Sequence, residues 1–402
     1  MKRANVLMLA PNYPWPANTG GSVRIDSILR GLNRHFEVTF ISPYFKTHSQ
    51  HVFNYETMEN AKLVINNIEF MIKFLFSSMP YHKIKYASHF TKLRVKKLLN
   101  TTHFDLVYVH FIYALQFLNY PLQVPLCLDN HNVDYEYWQA KVLASKGLHK
   151  AVTKLNMYRV KAYEKSMLKN IKGYVCVSEN DKKKVSEYAF PLVDKYFVAP
   201  NGVDTKDLCQ LKNLKKQNKN ITIGFLGSLD VEMNIKSISR FYKKIWPTIR
   251  ARLTGLELEL LLIGRNPSPK LKALTKEDKY VRYSGTVKNV FHWLMQVDIF
   301  IAPLVEGAGT KLKTLEAMAA GLATVGSPIA FFGLEELKHG KHFLSANNDQ
   351  DFVEAIVELA VSPEKRYGIG ISSQLIVKKR FNWDYITNKL ADQLCESFNF
   401  SS

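Results

Sequence analysis

Short apolar runs alternate along the chain with longer segments in which apolar residues recur every three or four positions. Short runs rich in β-branched and aromatic residues predict buried strands, and the segments between them predict amphipathic helices. Regular alternation of the two indicates an α/β protein with parallel layers. In the first half of the chain the predicted strands are NVLML, EVTFISP, FDLVYVH, PLCLDNH, GYVCVS and YFVAPNG.

A second series of strands follows a polar connector, VDTKDLCQLKNLKKQNKN, which is rich in lysine and asparagine. Its predicted strands are ITIGFLGS, LELLLIG, VRYSGT, IFIAPL and ATVGSP. A chain of 402 residues exceeds one typical core, so two domains are expected. We predict doubly wound, Rossmann-like domains at 1–204 and 221–380, a linker at 205–220, and a helix at 381–402 that packs back towards the first domain. Doubly wound sheets bind ligands at the carboxyl ends of their strands, so two facing sheets would share one cleft.

The composition is that of a folded protein, with 47% hydrophobic and 22% charged residues. The cysteines form no CxxC pair, which argues against a zinc site or a disulfide framework and favours a reducing, cytoplasmic compartment. The first apolar run is interrupted by Pro11 and is too short for a signal peptide. The stretch FMIKFLFSSMPYHKIKY contains Lys73 and Pro80 and is too short to span a membrane.

The formal net charge of +20 creates a field that attracts polyanions or anionic surfaces. Basic residues are densest in KIKYASHFTKLRVKK and between Lys141 and Lys184. The first stretch places Phe, Tyr and Leu among its cations, so it fits either a solvated helix face or a peripheral contact with the anionic inner face of a membrane. Nucleic acid is not expected as a partner, because no recognition motif accompanies the charge.

Gly20 and Gly21 follow the first predicted strand and precede a helical pattern that begins near Ser22. Paired glycines let the backbone approach a ligand, and a helix N-terminus presents free N–H groups to an anion. A turn that only needs positive φ explains this stretch equally well by itself. The other glycines of a dinucleotide fingerprint are missing, so NAD is not expected.

His131 comes directly after the strand PLCLDNH and is flanked by asparagines. Histidine can hydrogen-bond or hold a proton at neutral pH, and strand ends are where sites lie in such sheets. A lone histidine is more often structural, so the position of His131 rather than its identity makes it a candidate. Asp134 and Glu136 lie two positions apart and would diverge on a helix, so we do not take them as a carboxylate pair.

The stretch PLVEGAGTKLKTLEAMAAG follows the strand IFIAPL and combines a glycine turn with a predicted helix that begins near Thr310. Free loop N–H groups at Gly307 and Gly309 and the helix dipole would favour an anion. Lys313 adds a charge suited to a phosphate, and the Glu316 carboxylate can accept hydrogen bonds from a sugar diol. An exposed Lys–Glu pair is the alternative, but small apolar neighbours of Glu316 indicate a packed helix. The pattern therefore predicts a site for a nucleoside diphosphate.

These residues also carry a family resemblance. The segments APLVEGAGTKLKTLEAMAAGLATVGSP, GFLGSLDVEMNIKSISRFYKKIWP, LDNHNVDYEYW, VCVSENDKKKV and APNGVD together resemble a GT-B-fold glycosyltransferase of the family 4 type, most of all its bacterial polysaccharide-assembly branch. The likeness runs from about residue 4 to about residue 385. It implies a nucleotide-diphosphate sugar donor on the C-terminal domain, a glycan or lipid-linked acceptor on the N-terminal domain, retention of anomeric configuration, and no metal or other cofactor.

Matched residue by residue, the resemblance implies that Glu316 binds the donor ribose and that Lys313 holds the diphosphate. His131 corresponds to the histidine near the transferred sugar. Further donor-binding positions, which would act through their backbone, are Gly20, Gly21, Tyr283, Gly285, Gly307, Gly309 and Thr310.

The sequence departs from the family pattern at two places. Many relatives have a glutamate eight positions before Glu316, where this chain has Ala308, so we take the nearest acid, Glu306, as a catalytic candidate with His131 and Lys313. Many relatives also have an Arg and a Lys after the first strand of the second domain, where this chain offers Lys236. Arg265 is another candidate cation. A nucleotide-sugar epimerase and a non-catalytic sugar- or membrane-binding relative stay open as alternatives.

Overall fold

A computed structural model describes residues 3–17, 19–43, 54–55, 72–74, 76–189, 192–205, 220–287, 289–306 and 310–400. The chain forms two compact units, the first comprising residues 1–200 with 386–402 and the second residues 201–385. The segment 206–219, which covers most of the predicted linker, lies outside the described residues.

The first unit is built on a parallel sheet of seven strands in the order β3-β2-β1-β4-β5-β6-β7. Each strand predicted in the first half is present, and the two-residue β3 is an addition that the hydrophobic pattern does not reveal. The central strands β1, β4, β5 and β6 are almost entirely buried, as expected of parallel strands covered by helices on both faces. The strands are β1 (Asn5–Leu9), β2 (Glu37–Ile41), β3 (Asn54–Tyr55), β4 (Leu106–His110), β5 (Leu126–Asp129), β6 (Gly173–Cys176) and β7 (Lys195–Val198).

Helices lie between most of the successive strands, as expected of a doubly wound sheet. A 3₁₀ turn at Ile112–Phe117 follows β4. The helices are α1 (Gly20–Leu32), α2 (Tyr81–Lys85), α3 (His89–Thr101), α4 (Asp134–Ala144), α5 (Gly147–Leu168) and α6 (Glu179–Ala189).

The second unit is built on a parallel sheet of six strands in the order β10-β9-β8-β11-β12-β13. All strands predicted in the second half are present, and the two-residue β13 is again an addition. The strands are β8 (Ile221–Leu226), β9 (Leu258–Ile263), β10 (Val281–Tyr283), β11 (Ile299–Ala302), β12 (Ala323–Gly326) and β13 (Leu344–Ser345). The helices are α7 (Glu232–Arg240), α8 (Trp246–Arg252), α9 (Pro269–Thr275), α10 (Val290–Leu294), α11 (Leu312–Ala319), α12 (Asp349–Val361), α13 (Pro363–Arg380) and α14 (Trp383–Phe398).

The last helix, α14, begins in the second unit and continues into the first. A Cβ at Gly31 of α1 would lie 2.3 Å from the side chain of Thr387, so only glycine permits this close approach. Arg34 donates a hydrogen bond to Thr387 at 3.1 Å, and His35 bonds Asn388 at 2.9 Å. The end of the chain is therefore part of the packing of the first unit.

In each sheet the strand order reverses at one place, between β1 and β4 in the first unit and between β8 and β11 in the second. Such switch points leave a crevice at the carboxyl ends of the strands, where doubly wound proteins bind ligands. Within the described residues, no helix is both long and apolar enough to cross a membrane.

Candidate active site

In the second unit, candidate residues from separate segments converge at the switch point. Lys236 belongs to α7, which follows β8, whereas Glu306, Lys313 and Glu316 follow β11, the neighbouring strand. Arg265 comes after β9 and is exposed. Because these strands are parallel, all of these residues lie at the same edge of the sheet.

Lys313 is held by a residue that the sequence analysis did not single out. Its Nζ donates a hydrogen bond to Oδ1 of Asn234 at 2.8 Å and lies 4.9 Å from the centre of the Phe225 ring. Asn234 is buried in the first turn of α7 and donates from Nδ2 to the carbonyl of Ser228 at 2.8 Å. The ammonium group is thus tied to the loop after β8.

Two glycines allow this loop to pass so close. A Cβ at Gly227 would lie 2.9 Å from Nδ2 of Asn234 and 3.3 Å from Nζ of Lys313. A Cβ at Gly264, after β9, would lie 1.8 Å from the carbonyl oxygen of Gly227. Any side chain at either position would therefore displace the groups that hold Lys313.

Glu316 lies one turn beyond Lys313 on α11, between Leu315, Ala317 and Met318, which are fully buried. Burial raises the pKa of Glu316 to about 7, and the nearby Lys313 ammonium only partly opposes this. Burial likewise lowers the pKa of Lys313 to about 8, assisted by Lys311 and opposed by Glu316. Both side chains keep part of their surface exposed, so a ligand can reach them.

Among the described residues, no side chain caps the N-terminus of α11. The helix begins at Leu312, two residues later than predicted, with Lys311 in the cap position. Thr310 and Lys311 are buried, and the hydroxyl of Thr310 has no hydrogen-bond partner among the described residues. Free N–H groups and buried donors at a helix start suit an anion. Gly307, Ala308 and Gly309 lie outside the described residues.

Lys236 and Glu306 meet each other. Nζ of Lys236 lies 3.3 Å from Oε1 of Glu306, and both side chains are partly exposed. The pair bridges the segments after β8 and β11, across the switch point. Glu306 thus partly neutralises the charge of Lys236. Of the two lysines, Lys313 is the more deeply packed.

The segment expected to meet a nucleobase follows β10 and is held by side-chain hydrogen bonds. The Tyr283 hydroxyl bonds Thr275 at 2.7 Å, which holds that side chain against α9. Ser284 accepts a hydrogen bond from the N–H of Gly264 at 3.1 Å, and Gly285 has φ +68, a conformation that favours glycine. These contacts orient the loop after β10.

In the first unit, Gly20 and Gly21 form the first turn of α1. Thr19 caps this helix, with its hydroxyl accepting from the N–H of Ser22 at 3.2 Å. A Cβ at Gly21 would lie 3.2 Å from the Phe111 ring and 3.8 Å from Nδ1 of His131. A side chain at position 21 would therefore crowd the Phe111 ring and lie in ordinary contact with His131.

His131 is buried after β5 and contacts residues from the end of β4. Its Nε2 lies 3.2 Å from Nδ1 of His110, and its ring centre lies 3.8 Å from that of Phe111. Phe111 has φ 62, which is rare for an aromatic residue, and such strain tends to occur at functional positions. Burial lowers the pKa of His131 well below its usual value, so the imidazole is neutral at physiological pH.

A buried ion pair lies behind these histidines. Arg24 donates from Nη2 and Nε to Oδ1 of Asp129, at 2.8 and 3.1 Å. Tyr108 donates to Oδ2 of Asp129 at 2.9 Å, and Nδ1 of His110 lies 3.4 Å from the same oxygen. Burial alone would raise the pKa of Asp129, but Arg24 and His110 outweigh it and hold that pKa well below its usual range.

His131 was recognisable as a candidate from the sequence, whereas Arg24, His110, Phe111 and Asp129 were not. Arg24 reads as an ordinary helix cation, and His110 and Asp129 read as strand ends. For His110 and Asp129, the position at the carboxyl end of a predicted strand was the available signal of a functional role.

His110, Asp129 and His131 together have ligand atoms within 4.8 Å of one another, close enough to hold a metal ion. However, Asp129 already accepts hydrogen bonds on both oxygens, and its charge is compensated by Arg24 at 2.8 Å. A cation there would face the guanidinium. We therefore interpret the group as a hydrogen-bonded network rather than a set of metal ligands.

Comparison with known proteins identifies the family and the fold. Residues 18–207 match the family model "Glycosyltransferase Family 4", and residues 220–361 match "Glycosyl transferases group 1". An uncharacterised 44.6 kDa protein in the cps region of Klebsiella pneumoniae is 21% identical over 88% of this chain and 90% of its own.

Two solved structures show the same fold. Sucrose-phosphate synthase from Thermosynechococcus elongatus superimposes with a TM-score of 0.71 at 14% identity, covering 99% of this chain and 100% of that chain. Anabaena HepE, solved in complex with UDP, has a TM-score of 0.64 at 13% identity, covering 98% and 100%. Since the two family models together match most of the chain, the protein belongs to the family 4, or group 1, glycosyltransferases and has the GT-B fold.

Proposed function

We propose that the protein is a retaining glycosyltransferase that moves a sugar from a nucleotide-diphosphate sugar to a glycan or lipid-linked acceptor in cell-surface polysaccharide synthesis. The observation that carries this proposal is the pairing of Lys313 and Glu316 on α11, beside the uncapped start of that helix. Lys313 and the N–H groups at the helix start can bind phosphate. Glu316, one helical turn further on, can accept hydrogen bonds from a diol.

The proposed chemistry follows from the charge that develops. When the bond from the anomeric carbon to phosphate breaks, positive charge grows on the sugar ring and negative charge grows on the departing diphosphate. Lys313 and the N–H groups at the start of α11 stabilise the departing diphosphate. Because these groups are already held by Asn234 and by helix geometry, they need little reorganisation.

The remaining candidates take supporting roles. Glu316 accepts hydrogen bonds from the donor ribose, and the backbone around Tyr283 and Gly285 meets the nucleobase. Many relatives have a glutamate at the position of Ala308. In this chain Glu306, which pairs with Lys236, contacts the sugar hydroxyls instead. His131 contacts the transferred sugar, and the N–H groups of Gly20 and Gly21 approach the phosphates of the donor. The acceptor attacks from the side of the leaving group, which retains the anomeric configuration.

The donor and pathway are proposed from the relatives. HepE was solved with UDP, so we propose a UDP-sugar as the first donor to test. The Klebsiella relative is encoded in a cps region, which favours polysaccharide assembly. No metal is required in this proposal, because Lys313 and the helix start supply the positive potential.

A donor panel tests the function. The purified protein is incubated with UDP-, GDP- and ADP-sugars, with and without a lipid-linked glycan acceptor, and released nucleotide is measured. We expect acceptor-dependent release from one donor, reduced in Glu316→Gln and unchanged in the control Glu277→Gln, where Glu277 is exposed. Conversion of the donor sugar to its epimer without acceptor would instead identify an epimerase. The anomeric configuration of the product, read by NMR coupling constants, decides whether the enzyme retains.

We also propose that α3 holds the enzyme on an anionic membrane surface. This helix exposes Phe90 and Leu93 by 63% and 50%, beside the exposed Lys92, Lys96 and Lys97. Apolar and basic side chains on one helix face are typical of interfacial binding. Not every cation of the basic stretch is available for this contact, because Nζ of Lys83 lies over the Tyr163 ring, 4.6 Å from its centre. Phe74, an aromatic residue that precedes the basic stretch, is buried and does not belong to this surface.

Vesicle co-sedimentation tests the contact. Each lysine near an anionic surface contributes about 1 kcal/mol, so Lys92→Gln, Lys96→Gln and Lys97→Gln combined should release the enzyme from anionic vesicles at moderate salt. The matched control combines glutamine at Lys243, Lys244 and Lys279, which are exposed in the second unit. Equal loss of binding in both triple variants would show that net charge, and not α3, is responsible.

A further inference from the structure

The two ring nitrogens of His131 have different surroundings. Nε2 lies 3.2 Å from Nδ1 of His110. Nδ1 is buried, has no hydrogen-bond partner among the described residues, and points towards the start of α1, where a Cβ on Gly21 would lie 3.8 Å away. The side chain is thus anchored through one nitrogen and has the other available for a ligand.

The proton on His110 determines which nitrogen of His131 carries a proton. Nδ1 of His110 lies 3.4 Å from Oδ2 of Asp129 and 3.2 Å from Nε2 of His131. A protonated ring nitrogen donates and cannot accept. If Nδ1 of His110 is protonated, it donates to both neighbours, Nε2 of His131 accepts, and the proton of His131 must be on Nδ1.

The opposite arrangement is unfavourable. With the proton of His110 on Nε2, the lone pair of Nδ1 would face the Asp129 carboxylate. Each arrangement leaves one buried ring N–H without a partner among the described residues, on Nε2 of His110 in this case and on Nδ1 of His131 in the other, so that penalty is the same for both. The difference is the repulsion between the lone pair of Nδ1 and the Asp129 carboxylate, whose Oδ2 lies 3.4 Å away. Arg24 keeps Asp129 ionised, because its guanidinium holds the pKa of that carboxyl below the usual range despite burial.

We propose that Asp129 and His110 hold His131 in the Nδ1–H form, so that His131 acts as a hydrogen-bond donor, and not as a base, towards an oxygen of the bound sugar. His110 is then a positioning residue, and Phe111 supports the orientation by packing against the His131 ring, with the two ring centres 3.8 Å apart. The role towards a sugar rests on the proposed glycosyltransfer, whereas the position of the proton does not.

Nitrogen NMR on the ligand-free protein tests the position of the proton. The protein is labelled with ¹⁵N-histidine, and the signals of His131 and His110 are assigned by their loss in single variants. We expect Nδ1 protonated and Nε2 unprotonated in His131, and the same in His110, at pH 7 to 8. A proton on Nε2 of His131 would overturn the proposal, whether or not any donor is turned over.

Variants test the positioning role. His110→Asn keeps an N–H donor near the Nδ1 position, whereas His110→Leu removes it. We expect His110→Leu to lower kcat about ten- to a hundredfold and to leave His131 as a mixture of tautomers, with the donor KM little changed. His110→Asn should restore most of both. His149→Leu, an exposed histidine on α5, is the matched control.

The outcomes separate the two proposals. Melting temperatures and circular dichroism spectra show whether each variant folds, and a variant that unfolds leaves the wild-type NMR result to decide. Absence of turnover with every donor would contradict the proposed function while the tautomer result stands. Unchanged kcat and an unchanged His131 tautomer in a folded His110→Leu protein would contradict the role of His110.

Discussion

Lys313→Met removes the cation that we propose for the leaving diphosphate while keeping a side chain of similar length. In the wild-type structure Lys313 lies at the start of α11, and its Nζ is held 2.8 Å from Oδ1 of Asn234. Loss of one preorganised electrostatic contact typically costs about 2.7–4 kcal/mol of transition-state stabilisation. That corresponds to a fall of about 10²- to 10³-fold in kcat/KM for the donor.

The same change should hardly alter stability. The pKa of Lys313 falls from 10.5 to about 8, so burial costs the ammonium form about 3 kcal/mol relative to the unfolded chain. At pH 7 the lysine is protonated in both states, and methionine removes this full cost. Methionine also loses the hydrogen bond to Asn234, worth about 1.5–3 kcal/mol for a charged donor. The two contributions roughly cancel, so the melting temperature should stay within a few degrees of wild type.

Released nucleotide measures activity, and thermal unfolding measures stability on the same preparations. Lys279→Met is the matched control, because Lys279 is exposed at the start of β10, at the opposite edge of the sheet. The control should keep wild-type kcat/KM. The reasoning is refuted if Lys313→Met retains kcat/KM, or if its loss of activity is accompanied by a large drop in melting temperature.

Further predictions concern the same site. Gly227→Ala should lower donor affinity at least tenfold, because the new Cβ would lie 2.9 Å from Nδ2 of Asn234. Gly255→Ala is the control and should keep the wild-type affinity, because a Cβ there would have no atom within 4 Å. Equal affinities of the two variants by calorimetry would contradict this. For pH, kcat/KM should peak between about 7 and 8, because Glu316, with a pKa of about 7, becomes protonated below this range and Lys313, with a pKa of about 8, loses its proton above it. Glu316→Gln should lose the acid limb alone, and an unchanged acid limb would assign it to another group. EDTA should leave donor turnover unchanged, and recovery of a lost activity on adding Mg²⁺ or Mn²⁺ would overturn the metal-free proposal.

The candidate site was predictable where its signal is local in the chain. The combination of a glycine turn, a helix start, Lys313 and Glu316 lies within one short stretch, so it can be recognised by spacing. Asn234 could not be found in this way, because it contacts Lys313 from 79 positions away and carries no charge. Lys236 was selected as a cation after β8, but its partnership with Glu306 depends on two loops meeting.

The sequence by itself determined the order of strands and helices and the α/β class. Buried parallel strands are continuous apolar runs, and their helices have their own period, so both are written in neighbouring residues. Among the strands that the described residues form, β3 and β13 were the ones not predicted, because a two-residue segment has no period. The tertiary structure decided which side chains meet and what charge they carry. Arg24 and Asp129 are 105 positions apart, and nothing in a single sequence pairs them. The pKa values of Lys313 and Glu316 depend on burial, which exists only once the sheet and its helices have packed.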